Sequence, residues 1–152
     1  MSPRFNAFKL APKLTKALQG VETELAESGL DQGLMDLVKM RASQINGCAF
    51  CLNMHGADAL AHGESAARLF VLDAWRESTL FTDRERAALA WTEALTRIAN
   101  AHAPDADYEK ARGQFSDAEV AALSILIGQI NTWNRVQIAA RAVHPSETAK
   151  AA

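Results

Sequence analysis

Residues Asp31 to Gly63 read DQGLMDLVKMRASQINGCAFCLNMHGADALAHG, and this stretch decides the fold. Leu34, Val38, Ala42 and Ile45 recur at helical spacing, and Asp31 stands where an N-cap belongs. Asn46-Gly47 supplies residues that tolerate positive φ at a helix end. A second helix begins at or near Cys48 and runs through Leu52, Ala59 and Leu60 to Gly63, placed like the glycine just past a helix C-terminus. The two form an antiparallel hairpin. Working outward, a helix opens after Pro12 and closes at Gly29, with Leu14, Ala17, Leu18, Val21 and Leu25 as its apolar stripe. Ser65 to Trp75 is a further amphipathic segment. Thr82 to Glu85 has capping-box spacing and opens a helix through Leu89, Leu95 and Ile98 that ends at His102, Ala103 and Pro104. A short helical piece around Tyr108 leads to a second capping box, Ser116 to Glu119. The last long helix carries Val120, Leu123, Ile127, Ile130, Asn134 and Ile138 until His144-Pro145 stops it, leaving a frayed Ala-rich tail. No convincing period-2 run occurs. The expected fold is all-α, a compact bundle of about six to seven helices in a single domain spanning residues 1–152, with its motif core at residues 36–63.

The chain has 152 residues, 49% apolar and 22% charged, which suits one globular core. A net charge of −2 offers no basic surplus for a polyanion, so a nucleic-acid partner is not expected. The first residues lack the apolar stretch of a signal peptide, and no run of about 18 apolar residues provides a membrane span. The expectation is a cytoplasmic protein with no membrane association. Cys48 and Cys51 are the only cysteines, too few for a secreted disulfide scaffold, and in a reducing compartment such a pair points to redox or metal chemistry.

Cys48-Ala49-Phe50-Cys51 falls at a helix start, where unpaired N–H groups and the positive end of the dipole favour a thiolate. Sulfurs three residues apart are close enough for one to resolve an oxidised form of the other as a disulfide. His55, four residues after Cys51, shares that helix face and can accept a thiol proton. The competing reading is two buried cysteines beside a satisfied histidine. A zinc site that adds His62 fails on length, because about 21 Å of helical rise separates it from Cys48, which leaves open only three ligands completed by water or by another subunit. Haem attachment fails because Leu52, not His, follows the second cysteine. In the hairpin, Asp36 and His55 lie at heights of about 15 and 12 Å from the turn. Asp36, Met40 and Ser43 share one face, so Asp36 either orients His55 or relays its proton through water, or else it is solvated and paired with Lys39.

The stretch from Leu37 to His55 resembles the core of the carboxymuconolactone decarboxylase-like superfamily, specifically its alkylhydroperoxidase D-like branch. That branch carries an acidic residue twelve positions before a C-x-x-C and a His four after it, offsets matched by Asp36, Cys48, Cys51 and His55. The likeness continues more loosely through Ala74 to Glu77, Phe81 to Glu93 and Ile130 to Arg135. It implies an all-helical homo-oligomer, a trimer or hexamer, that reduces a hydroperoxide substrate with electrons from a dithiol or protein reductant and uses no metal or organic cofactor. By position, Cys51 would be the peroxidatic sulfur, Cys48 its resolving partner, and His55 with Asp36 the proton relay. Two positions depart from the pattern. Asp36 stands where Glu is usual, one methylene shorter, and Phe50 stands where well-known peroxidase members have a second His. The decarboxylase branch does not rely on a C-x-x-C pair, so the dithiol argues against that activity.

A rival reading from another class is a redox-sensing or interaction module whose disulfide alters helix docking with little turnover. Elsewhere, His62 and His102 are expected near helix ends as solvated or capping groups, and His144 as part of a terminator. The three Trp are expected in the core or at subunit contacts, and Glu85 serves first as a cap.

Overall fold

A computed structural model describes residues 2–148. Among them the regular structure is helical throughout: α1 (Ala7–Leu10), α2 (Pro12–Ala26), α3 (Gln32–Asn46), α4 (Ala49–Ala61), α5 (Ala66–Val71) followed by a 3-10 turn (Leu72–Ala74), α6 (Asp83–Thr96), α7 (Ile98–Ala101), α8 (Asp105–Arg112), α9 (Asp117–Ala140) and α10 (Pro145–Thr148). The all-α expectation holds, although the described helices outnumber the six to seven expected because α1, α7 and α10 are one-turn segments. The Ala-rich tail lies outside the described residues.

The start signals act as read. Asp31 accepts from the Leu34 N–H at 2.9 Å, and Thr82/Glu85 and Ser116/Glu119 both form capping boxes. The hairpin turn is closed by Gly47 at φ +68°, with Cys48 N–H donating to Ser43 O at 3.0 Å and Gly47 N–H to Gln44 O at 3.2 Å. Gly63 ends α4 in the same way, with Glu64 N–H on Ala59 O at 2.9 Å.

Several helix ends and faces differ from expectation. The first long helix stops at Ala26 rather than Gly29. The expected helix through Ile98 breaks at Arg97, after which the chain turns out of register and Ile98 is half exposed. The last helix ends at Ala140, before His144-Pro145: the backbone N–H of Arg4 donates to Ala140 O at 2.8 Å, and Arg141 takes φ 52°. Pro145 then begins α10, a position where its missing N–H costs nothing. The α2 stripe is also less buried than its spacing suggests, since Leu14 is 70% exposed while Leu25 is buried.

Helix α3 is the central element, packed on α4, α6 and α9. One apolar cluster joins its Leu34 and Val38 to Trp91, Leu123 and Ile127, and another joins its Leu37 and Met40 to Leu72, Trp75 and Leu89. Each such fully buried side chain contributes about 1.5–3 kcal/mol of transfer free energy. Polar clamps fix the directions of packing. Glu93 accepts from Trp75 Nε1 and Arg41 Nε, each at 2.9 Å, and from Arg76 at 2.6 Å. Burial pushes the Glu93 carboxyl up, but the hydrogen bonds from Trp75, Arg76 and Arg41 outweigh it and hold the group below its ordinary value. A chain of amides ties the hairpin turn to α9: Asn46 donates to Asn131 and Asn134 at 2.9 and 2.8 Å, and Asn134 donates to Ser43 Oγ at 3.0 Å.

Candidate active site

Cys48 is the N-cap of α4 and Cys51 lies in its first turn. The Cys51 N–H donates to Cys48 Sγ at 3.3 Å, and the two sulfurs are joined in a disulfide with the Cα atoms 5.3 Å apart. Both cysteines are almost wholly buried. The helix start that the sequence indicated therefore aims one of its free N–H groups, that of Cys51, at the Cys48 sulfur, an arrangement that stabilises a thiolate when the pair is reduced.

One turn on, His55 is buried, with Nδ1 3.7 Å from Asp58 Oδ2. Burial first, then the nearby Lys39 ammonium, pushes its pKa below the usual 6.5, against a weaker upward pull from Asp58, Glu22 and Asp36. The imidazole is thus neutral at pH 7 and free to accept a proton. Lys39 itself is held by Glu22 of α2 at 2.9 Å.

Asp36 differs from the solvated, Lys39-paired reading. It is buried rather than solvated, and Lys39 pairs with Glu22. Its Oδ2 lies 2.7 Å from His62 Nδ1 and its Oδ1 accepts from Gln32 Nε2 at 2.9 Å, while no described hydrogen bond joins it to His55. The physical reason is side-chain lean. Cβ bonds tilt toward a helix's own N-terminus, so in this hairpin α3 side chains lean away from the turn and α4 side chains lean toward it. Matching heights at the helix axes therefore separates Asp36 from His55 and brings His62, nominally about 7 Å further out, back onto the carboxylate. His62 was expected only as a helix-end group. The lean rule was the available signal for this contact.

A cavity of about 300 Å³ opens onto the motif. Cys51 and His55 line it, as do Phe50 and Met54 of the same helix. Its remaining walls include Phe8, Glu22, Trp133 and Gln137 from α1, α2 and α9. Phe8 stacks on Trp133 at 5.7 Å between ring centroids, and Phe50 meets His144 edge-on at 5.4 Å. Cys48 is not in the lining. Phe8, Glu22 and Gln137 escaped the sequence reading because they come from helices distant in the chain. Among the described residues, no group of three or more His, Cys, Asp or Glu side chains is placed to hold a metal ion.

Fold and site together define a helical thiol protein with a two-cysteine helix start, a buried neutral imidazole and an aromatic-walled cavity. The chain belongs to the carboxymuconolactone decarboxylase family, whose match covers residues 12–94, and within it to the alkylhydroperoxidase D-like branch. It is 37% identical over 139 residues to the uncharacterized protein YdfG of Bacillus subtilis, covering 91% of this chain and 95% of YdfG. A crystal structure from Agrobacterium tumefaciens, of a protein of unknown function proposed as an antioxidant defence protein AhpD, superposes with a TM-score of 0.92 at 42% identity, covering 95% of this chain and 99% of that one. An uncharacterized peroxidase-related protein from Silicibacter sp. TM1040 superposes with a TM-score of 0.81 at 26% identity, covering 93% of this chain and 75% of that one.

Proposed function

We propose that this protein is an antioxidant thiol oxidoreductase that reduces hydroperoxides through the Cys48/Cys51 dithiol. The observation that carries the reading is that Cys51 and His55, one helical turn apart, line the same cavity, whereas Cys48 sits behind Cys51 within disulfide reach. In the reduced protein, His55 accepts the Cys51 thiol proton and the thiolate attacks the distal oxygen of the hydroperoxide. An S–O bond forms and the O–O bond breaks. The departing alkoxide takes the proton from His55 and leaves as an alcohol. Cys48 sulfur then attacks the Cys51 sulfenic acid, forming the disulfide and releasing water. A dithiol or protein reductant returns the pair to thiols by exchange and is itself oxidised to a disulfide.

Asp36 takes part in proton handling from within the hairpin, where its carboxylate pulls the His55 pKa upward. The assembly is a homo-oligomer, a trimer or hexamer, and apolar side chains left at the surface, Leu10 at 75% and Leu14 at 70% exposure, support it. No helix among the described residues is long and apolar enough to cross a membrane, and a thiol pair that must be reduced in each cycle suits the cytoplasm.

The test is peroxide consumption by purified protein supplied with a dithiol. Wild-type protein turns over and Cys51→Ser does not, while pre-reduced Cys48→Ser, freed of the dithiol, consumes one equivalent and holds a sulfenic acid on Cys51. Consumption by Cys51→Ser at the wild-type rate would overturn the reading. One feature favours the sensor alternative: the cysteine-bearing turn touches the C-terminal segment, through Phe50 on His144 and Asn53 on Ser146 at 2.6 Å. A redox-dependent change in that contact, without multiple turnover, would favour the sensor.

A further inference from the structure

A second cavity, of about 570 Å³, lies between the N-terminal segment and the C-terminal end of α9. Phe8, Phe50 and Gln137 line both cavities, so the two adjoin at these side chains. Both volumes fall in the range of small-molecule sites, about 300–1,000 Å³. The chemistry along the path is graded. At one end stand Cys51 and His55; in the middle stand the rings of Phe8 and Phe50; beyond them the walls include Phe5, Ala140 and Val143. Arg4 carries the one side-chain charge in the lining of the second cavity, which contains no carboxylate. Among the described residues Arg4 forms no ion pair, and its guanidinium makes a single hydrogen bond, to Ala139 O at 3.4 Å, leaving its other donors for a ligand. Its backbone is fixed independently, since the Arg4 N–H is bonded to Ala140 O at 2.8 Å.

We propose that the second cavity is a tail subsite for free fatty-acid hydroperoxides. In this assignment the peroxide reaches Cys51, the hydrocarbon chain lies along Phe8, Phe50 and Val143, and Arg4 receives the terminal carboxylate. A guanidinium fork matches a carboxylate and is matched poorly by a neutral ester. The assignment rests on the peroxidase reading for its chemistry, and the redox step is the same: the substrate's O–O bond is reduced to a hydroxy acid as Cys51 becomes a sulfenic acid.

Two measurements test it. In stopped-flow oxidation of the reduced protein, the 13-hydroperoxide of linoleic acid, kept below its micellar concentration, is compared with its methyl ester and with tert-butyl hydroperoxide. The acid is expected to react roughly two- to fivefold faster than the ester, the scale of an exposed charge pair, with the ratio falling to one in Arg4→Gln and in high salt. Equal rates for acid and ester in wild-type protein would overturn the subsite. In the second measurement, linoleic acid and methyl linoleate, which carry no peroxide, are titrated against Trp fluorescence. Acid-selective binding that is lost in Arg4→Gln upholds the subsite even if no hydroperoxide oxidises Cys51, in which case the peroxidase reading alone falls. Equal binding of acid and ester would overturn the subsite while leaving oxidation by tert-butyl hydroperoxide to decide the peroxidase reading.

Discussion

His55 is the residue on which the proposed chemistry turns, because it must hold a vacant lone pair at neutral pH. Burial and Lys39 lower its pKa from 6.5, so in the disulfide form its imidazole titrates with an NMR midpoint below that value. The unfolded chain then binds this proton more readily than the folded one. The His55 contribution to stability is complete above about pH 6.5 and is lost as pH falls from there through the folded value. The rate of Cys51 oxidation should decline on the acid side over the same interval, and His55→Gln should slow it by about 10²–10⁴-fold, the range of general acid–base assistance. A titration midpoint above 6.5 would contradict this account. The pairing of Cys48, Cys51 and His55 on one helix start was legible from spacing because all three positions are set by a single helix. The partner of Asp36 was not, since it depends on how side chains lean between two helices.

At the scale of elements, the α3–α4 hairpin places the motif, and its turn depends on the left-handed conformation of Gly47 at φ +68°. A side chain there is strained whatever the space around it. Gly47→Ala is expected to destabilise the protein by about 1–2 kcal/mol, measured as a lower urea midpoint at unchanged m-value. Gly56 in α4 is the contrasting case. A Cβ at that position would sit 3.7 Å from Met40 Cε, an ordinary contact, and alanine is the better helix former. Gly56→Ala should be neutral or stabilising by up to about 1 kcal/mol. Caps and capping boxes were readable from the chain because they are contacts within four residues. The end of α9 was not, because Arg4, far away in sequence, supplies the donor at Ala140.

For the molecule as a whole, Glu93 joins α6 to α3 and to the Trp75 segment, and its removal should be felt globally. Glu93→Ala leaves the buried Arg41 with only the exposed Asp73 carboxylate and is expected to cost about 3–5 kcal/mol in chemical denaturation. Because the folded carboxyl lies below its ordinary 4.5, its stabilisation is present above that pH and is lost as pH falls through the folded value. Acid unfolding of Glu93→Ala should therefore be less steep in that range than that of wild-type protein. The proposed oligomer is checked by light scattering: Leu14→Asp, at a position 70% exposed in the single chain, should shift the trimer or hexamer toward smaller species. The helical class, most helix starts and the alignment of two sulfurs with an imidazole are written in the order of residues, because each follows from local periodicity and capping chemistry. Helix packing, by contrast, is what sets Asp36 against His62, Lys39 and Glu22 beside His55, and the aromatic rings of α1 and α9 around Cys51. These contacts arise from the packing angles of helices far apart in the chain, which no local pattern specifies.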